Sequence, residues 1–383
     1  MSATSHIPAR PDSHLDAVSE LWYTRCPVPT ASSIAISQGW LDGEFAPDGI
    51  TVASLRASAD DDVRESHFDH TQANSFRQGG NIPPIWARSR GGDVRLIGLS
   101  WVPQFQAIVA MPESGIAEPA DLRGKRLALP RRLNDKIDFW RATALHGYLD
   151  TLAQAGLTAD DVTLVDMPVG ETFLGHREDS ERGSLFGAYS NRRLQSVEVL
   201  ALIRGEVDAV YTAGGRGPDL LALTGAHVVY DIAAAADRSL QVNNITPAAL
   251  TVSGELLDSR PDLVVRYLAA TIRAARWAAE NRAATARILA HEIGIAEEFV
   301  EPGYTAAIQD LLEPSLDDEL IAAIEIQKRF LLDWGFIERD FDVHEWVAAE
   351  PLREARELVD REDDVASRAN GSTSRSTPSS TLA

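Results

Sequence analysis

The sequence predicts an α/β protein of two lobes, with mixed sheets flanked by helices and a ligand cleft between the lobes. Three observations carry that expectation. A length of 383 residues exceeds what one hydrophobic core usually organises. Strand-like and helix-like segments alternate as far as about residue 232, the order that gives parallel or mixed sheets covered on both faces. Hydrophobic residues at 44% and charged residues at 24% are the balance of an ordinary globular chain.

Residues 1–16 are polar and predict a flexible N-terminus. Leu21–Arg25 is a β-prone run, broken at Cys26-Pro27-Val28-Pro29 because two prolines cannot continue a ladder. A helix follows over Ala31–Gln38 and stops at Gly39; the turn Pro47-Asp48-Gly49 then leads into a strand over Ile50–Leu55. Further strands are expected at Val94–Val102, Gln106–Met111, Arg126–Leu129, Val162–Met167, Ala209–Thr212 and Val228–Ile232, with helices at Ile137–Gln154 and Leu194–Arg204. Beyond residue 232 the pattern becomes helical. Val264, Leu268, Ile272, Ala275 and Ala279 form one stripe, with Ser259 as the cap and Pro261 in the first turn. More helices run through Leu358, and residues 363–383 end in a Ser/Thr-rich stretch expected to be disordered.

A net charge of −21 argues against nucleic acid or an anionic membrane as partner, and it requires any anionic ligand to find a locally positive pocket. The N-terminus lacks the apolar run of about 7–15 residues that export needs, and no stretch approaches the roughly 20 apolar residues of a membrane span. Cys26, the one cysteine, has no partner for an internal disulfide. A cytoplasmic monomer is the expectation. No metal-ligand spacing, phosphate-binding loop or Gly-x-Ser-x-Gly elbow is present, so neither metal nor cofactor is expected. Gly214-Gly215-Arg216-Gly217 reads as a hinge-side loop, at most touching the ligand, without the helix a nucleotide loop needs.

Four segments in order resemble type II periplasmic solute-binding proteins of the nitrate, sulfonate and taurine branch: Asp121-Leu122-Arg123-Gly124-Lys125, Gly156-Leu157 with Asp160-Asp161-Val162, Leu202-Ile203-Arg204-Gly205-Glu206-Val207-Asp208-Ala209, and Arg260-Pro261-Asp262-Leu263-Val264. The resemblance implies a first lobe from residues 17–112 and 232–362, with a second lobe, 113–231, inserted between them and a cleft that closes on its ligand.

Two further segments carry chemistry. Cys26-Pro27-Val28-Pro29, and His67-Phe68 followed ten residues after the histidine by Arg77, then Gly79-Gly80-Asn81-Ile82-Pro83-Pro84, resemble the hydroxybiphenyl sulfinate desulfinase family of the dibenzothiophene desulfurisation pathway. That resemblance implies a cofactor-independent enzyme that releases sulfite from an aromatic sulfinate. Cys26, His67 and Arg77 would take the catalytic positions, and Gly80 that of a backbone donor. Residue chemistry agrees: a planar guanidinium can hold both sulfinate oxygens, and Gly79-Gly80 lets the backbone approach an anion at the helix start. Cys26 at a strand end would face the cleft, and a histidine can pass a proton near neutral pH. Cys26 can protonate carbon as a thiol or attack sulfur as a thiolate.

Where the family carries tyrosine and phenylalanine, this chain has His70 and Gln78, which predicts a more polar cleft; Phe68 and Trp140 are the candidate ring contacts. The alternative reading is a receptor for a sulfonate-, nitrate- or taurine-like anion in an ABC transporter, with Cys26 incidental.

Overall fold

Strand-forming runs separated by amphipathic helices close into two five-stranded mixed sheets. The structure is a computed structural model that describes residues 18–24, 26–174 and 195–373. Residues 1–16 and Arg25, Leu194 and the last ten residues of the expected tail lie outside the described residues. The strands are β1 (Glu20–Thr24), β2 (Thr51–Ser54), β3 (Ser75–Gly79), β4 (Val94–Ser100), β5 (Gln106–Ala110), β6 (Arg126–Arg132), β7 (Thr163–Val169), β8 (Ala209–Ala213), β9 (His227–Asp231) and β10 (Ala248–Ser253). The first sheet has the order β2-β1-β3-β10-β4 and the second β7-β6-β8-β5-β9. In each, three strands run parallel and the fourth position is antiparallel to both neighbours: β10 against β3 and β4, β5 against β8 and β9. The two sheets repeat one topology, and two crossovers join them, residues 101–105 and 232–247.

The crossovers shift the expected boundary. β5 falls within the expected first-lobe span 17–112, yet Gln106–Ala110 forms an interior strand of the second sheet. It pairs with β8 and β9 on its two edges, and its residues are buried on both faces, as in a sheet covered on both sides. Two central strands were also absent from the sequence reading. β3 contains Arg77 and Gln78, polar residues in a strand buried throughout, and β10 is a short apolar run inside what reads as helical sequence.

The helical stripe is inside as expected, with Val264, Leu268 and Ile272 fully buried against the first sheet, where Tyr267 stacks on Phe76 at 3.8 Å. Ser259 does not cap that helix. It ends the preceding helix, Gly254–Ser259, and its hydroxyl donates to the Glu255 carbonyl. Helix Glu350–Thr373 continues into the expected tail, and just before and at the start of that tail Arg273 and Arg276 of helix Pro261–Glu280 pair with Asp360, Glu362 and Asp363. No helix among the described residues is long and apolar enough to cross a membrane.

Candidate active site

One cavity of about 760 Å³, its mouth included, opens where the ends of β1, β3 and β8 meet both crossovers. Open α/β sheets place ligands at such strand ends. Cys26, His67, Phe68, Arg77, Gly80 and Trp140 all line it.

The sheet register builds the first wall. β1 and β3 pair in parallel with Thr24 opposite Arg77, so two residues further Cys26 lies beside Gly79. A Cβ on Gly79 would collide with the Cys26 sulfur and sit 2.7 Å from its Cβ. Only glycine fits there, and Gly79 supports the cysteine rather than lining the cavity. Cys26 is 7% exposed. The spacing of ten between His67 and Arg77 also has a geometric cause. Helix Asp61–Asp69 ends at His70, the chain turns back through residues 70–74, and β3 returns beneath the helix. Arg77 can then donate from Nε to the His67 carbonyl at 3.1 Å and from Nη1 to the Gly80 carbonyl at 2.6 Å.

Arg77 is 4% exposed, and among the described residues no carboxylate lies within ion-pair distance of it. Burial draws its pKa below the usual guanidinium range, and charge on Cys26 opposes that shift. A buried, unpaired cation is costly unless an anion completes it. His67, 3% exposed, has an Nδ1 without a hydrogen-bond partner. Burial, followed by the charges of Arg77 and Arg56, holds its pKa well below the ordinary histidine value, so it is neutral at neutral pH.

The second wall is aromatic. Phe68, Phe139, Trp140 and Phe173 surround the cavity, with Phe139 edge-on to Phe173 at 5.3 Å and stacked on Trp140 at 5.8 Å. The sequence singled out Phe68 and Trp140; Phe139 is adjacent to Trp140, and Phe173 follows β7 with no motif to mark it. Asn244, from the second crossover, was also unforeseen. Its Oδ1 accepts from the Ile82 N–H at 3.1 Å, and a Cβ on Gly80 would meet that oxygen at 2.5 Å. The helix start at Ile82 is therefore occupied by a side chain, which leaves Gly80 as the backbone element facing the cavity.

Two expected polar contributions are placed elsewhere. His70 does not line the cavity. It sits at φ 58° as the helix C-cap, and its Nδ1 lies 3.0 Å from the Phe68 carbonyl. Burial and Arg77 hold its pKa down at about 3. Gln78 points to the opposite face of β3, where Oε1 accepts from the Ser32 N–H at 2.9 Å at the start of helix Ala31–Ser37. Both departures serve the scaffold. The Gly214 loop differs from expectation in the other direction: helix Arg216–Thr224 follows it, with Pro218 in the first turn, and both Gly214 and Arg216 line the cavity. Among the described residues, no group of three His, Cys, Asp or Glu side chains is placed to hold a metal.

Comparison with known proteins agrees with this geometry. The family described as NMT1/THI5 like matches residues 34–175. The 2'-hydroxybiphenyl-2-sulfinate desulfinase of Rhodococcus erythropolis is 30% identical over 371 residues, covering 91% of this chain and 98% of that protein. The crystal structure of the desulfurization enzyme DszB superposes with a TM-score of 0.72 at 27% identity, over 89% of this chain and 99% of that one. A cysteine-to-serine mutant of DszB in complex with biphenyl-2-sulfinic acid gives 0.71 at 26% identity, over 88% and 99%. The periplasmic aliphatic sulphonate binding protein SsuA of Escherichia coli shares the fold, with a TM-score of 0.60 at 15% identity over 87% and 92%. The chain belongs to the 2'-hydroxybiphenyl-2-sulfinate desulfinase family, on the scaffold of the sulfonate- and nitrate-binding proteins.

Proposed function

We propose that this desulfinase-family chain cleaves the carbon–sulfur bond of an aromatic, hydroxybiphenyl-type sulfinate and releases sulfite, with Cys26, His67 and Arg77 as its catalytic residues. The observation that carries the reading is one cavity in which a free thiol and a buried guanidinium without a carboxylate partner face a cage of aromatic rings. Arg77 and the Gly80 backbone hold the sulfinate, while Phe68, Phe139, Trp140 and Phe173 hold the ring system in place of water. Gly79 keeps Cys26 in position.

The Cys26 thiol gives its proton to the ring carbon that bears sulfur. The carbon–sulfur electron pair returns to the ring, sulfur dioxide departs, and a Cys26 thiolate remains beside Arg77. Water hydrates sulfur dioxide to bisulfite and a proton, and the thiolate recovers a proton through His67. The sum adds one water across the carbon–sulfur bond, which makes the enzyme a hydrolase. Neutral His67 suits this role, since an unpartnered ring nitrogen can accept a proton and pass it on. Protonation is favoured over thiolate attack because a sulfinate held by Arg77 stays anionic, and an anionic centre repels a thiolate. A single reduced thiol as proton donor also suits the cytoplasm.

A panel of aryl and alkyl sulfinates assayed for sulfite tests the reading. Biphenyl-type sulfinates should yield arene and sulfite in equal amounts, and rapid-quench mass spectra should show no adduct on Cys26. Tight binding with no sulfite from any of them would make the protein a receptor.

A further inference from the structure

The cavity contains a second guanidinium that the desulfination chemistry leaves unused. Arg216 opens helix Arg216–Thr224 just past β8, in the second sheet, and its Cζ lies 5.0 Å from the Trp140 ring. Its neighbours fix the loop that carries it. Gly214, at φ 61°, is so close to Tyr304 that a Cβ would meet the phenol oxygen at 2.6 Å.

The arginines of β6 and of the helix that follows it have carboxylate partners. Arg126 pairs with Asp208, Arg132 with Asp135, and Arg131 and Arg141 with Asp166. Arg216 differs: among the described residues it donates no hydrogen bond and has no carboxylate within ion-pair distance, in a chain with 57 acidic residues. Burial lowers its pKa; Tyr304 and Glu198 support its charge from further away, and Arg132 opposes it. A guanidinium held over an indole and without hydrogen-bond partners has its N–H groups available for a planar anion.

We propose that Arg216 is a specificity-determining residue that binds a second anionic group on the substrate, so that the preferred substrates are dianions: aryl sulfinates carrying a carboxylate on the ring remote from the sulfinate. The two guanidiniums come from different sides of the cavity, Arg77 from β3 of the first sheet for the sulfinate and Arg216 from the helix after β8 of the second for the carboxylate, and the aromatic rings line the same cavity. The identity of the first anion rests on the desulfinase reading.

Sulfite release from biphenyl-2-sulfinate, 2'-hydroxybiphenyl-2-sulfinate and 2'-carboxybiphenyl-2-sulfinate tests the proposal, together with calorimetry on two unreactive ligands, biphenyl-2-carboxylate and biphenyl-2,2'-dicarboxylate. The wild type should favour each dianion over its monoanion by about tenfold or more, through KM and Kd, as a charge-assisted bidentate contact would give. In Arg216→Gln that ratio should fall to within about threefold of one, and Arg216→Lys should keep part of it. The ratio is read within each variant, so a loss of folded protein does not mimic the effect. A wild type that treats the ligands alike or prefers the hydroxyl, or an Arg216→Gln that weakens both ligands equally, overturns the proposal. If no sulfinate is cleaved, the desulfinase reading fails, while the dicarboxylate ratio still decides the role of Arg216.

Discussion

The two walls of the cavity are built differently. On the first, hydrogen bonds and strand register fix the groups: Cys26 by the register of β1 and β3, Arg77 by two carbonyls, and Gly80 by the Asn244 side chain beside it. On the second, the groups are rings and one arginine projecting from a helix start, a loop after β7 and a loop after β8, held mainly by contact with one another. Chemistry that needs a proton delivered to one carbon atom belongs on the rigid wall. Recognition of a ring system tolerates the softer one. Changes on the first wall should therefore strike turnover, and changes on the second should strike affinity.

The largest effect should come from Cys26→Ser. Serine keeps the shape, but its hydroxyl is far less acidic than a thiol, so sulfite release should fall by about a thousandfold or more. Affinity for a biphenyl sulfinate should stay within about threefold of wild type by calorimetry. Substantial turnover by this variant would remove Cys26 from the mechanism and erase the contrast between the walls.

Arg77→Lys should come next, and here the first wall touches binding as well. A lysine ammonium cannot reproduce the guanidinium fork or reach both carbonyls, so sulfinate affinity should drop by about ten- to a hundredfold. Unchanged affinity would show that Arg77 is not the clamp.

Legibility in the sequence divides along the same line. His67, Arg77 and Gly80 are readable because they lie within a short span whose spacing is the imprint of one helix, one turn and one strand, and Cys26 because it opens the separate Cys26-Pro27-Val28-Pro29 motif at the end of β1. The second wall draws on residues 68, 139, 140, 173 and 216, from separate segments with no fixed spacing; the sequence singles out Phe68 and Trp140 and brings the Arg216 loop at most into touch with the ligand, whereas Phe139 and Phe173 carry no motif. His70 and Gln78 misled for a related reason: a polar residue beside a motif looks functional, while its direction is set by strand alternation and by the turn it caps. The fold was legible where strands alternate with helices. It was hidden at β3, whose buried Arg77 and Gln78 break the usual strand composition, and at β10, a short strand in helical surroundings.

Gly79→Ala sharpens the comparison from outside the cavity. The added methyl group has no space beside Cys26, so the variant should lose about 1–3 kcal/mol of stability in denaturant titrations. Its kcat should fall while KM changes little, because the cysteine is displaced and the aromatic wall is untouched. Phe139→Ala, on the other wall, should show the opposite split, with KM raised by about tenfold and kcat nearly retained. A fall in kcat as large as that from Gly79→Ala would mean that the second wall also positions the reacting carbon.

The smallest expected effect is the response to acid, and it bears on why the first wall is dry. An ordinary histidine with a pKa of about 6.5 would be roughly nine-tenths protonated at pH 5.5, and a reaction needing neutral imidazole would slow by about tenfold there. His67 is held neutral by burial first, and then by the positive charges of Arg77 and Arg56. Because its pKa in the folded protein lies below the unfolded value, the neutral form persists as pH falls through 6.5. The kcat profile should then be nearly flat, within about threefold, between pH 7.5 and 5.5. The stability gained from burying the neutral ring is present above the unfolded value and is lost as pH falls below it. Arg56 lies outside the cavity with its guanidinium 5.5 Å from the Phe173 ring, so it offers a separate handle. Arg56→Gln removes one of the opposing charges and should move the acid limb of kcat upward by a fraction of a pH unit. An acid limb near 6.5 in the wild type, unmoved by that substitution, would place the titrating histidine outside the cavity and take His67 out of the proton path.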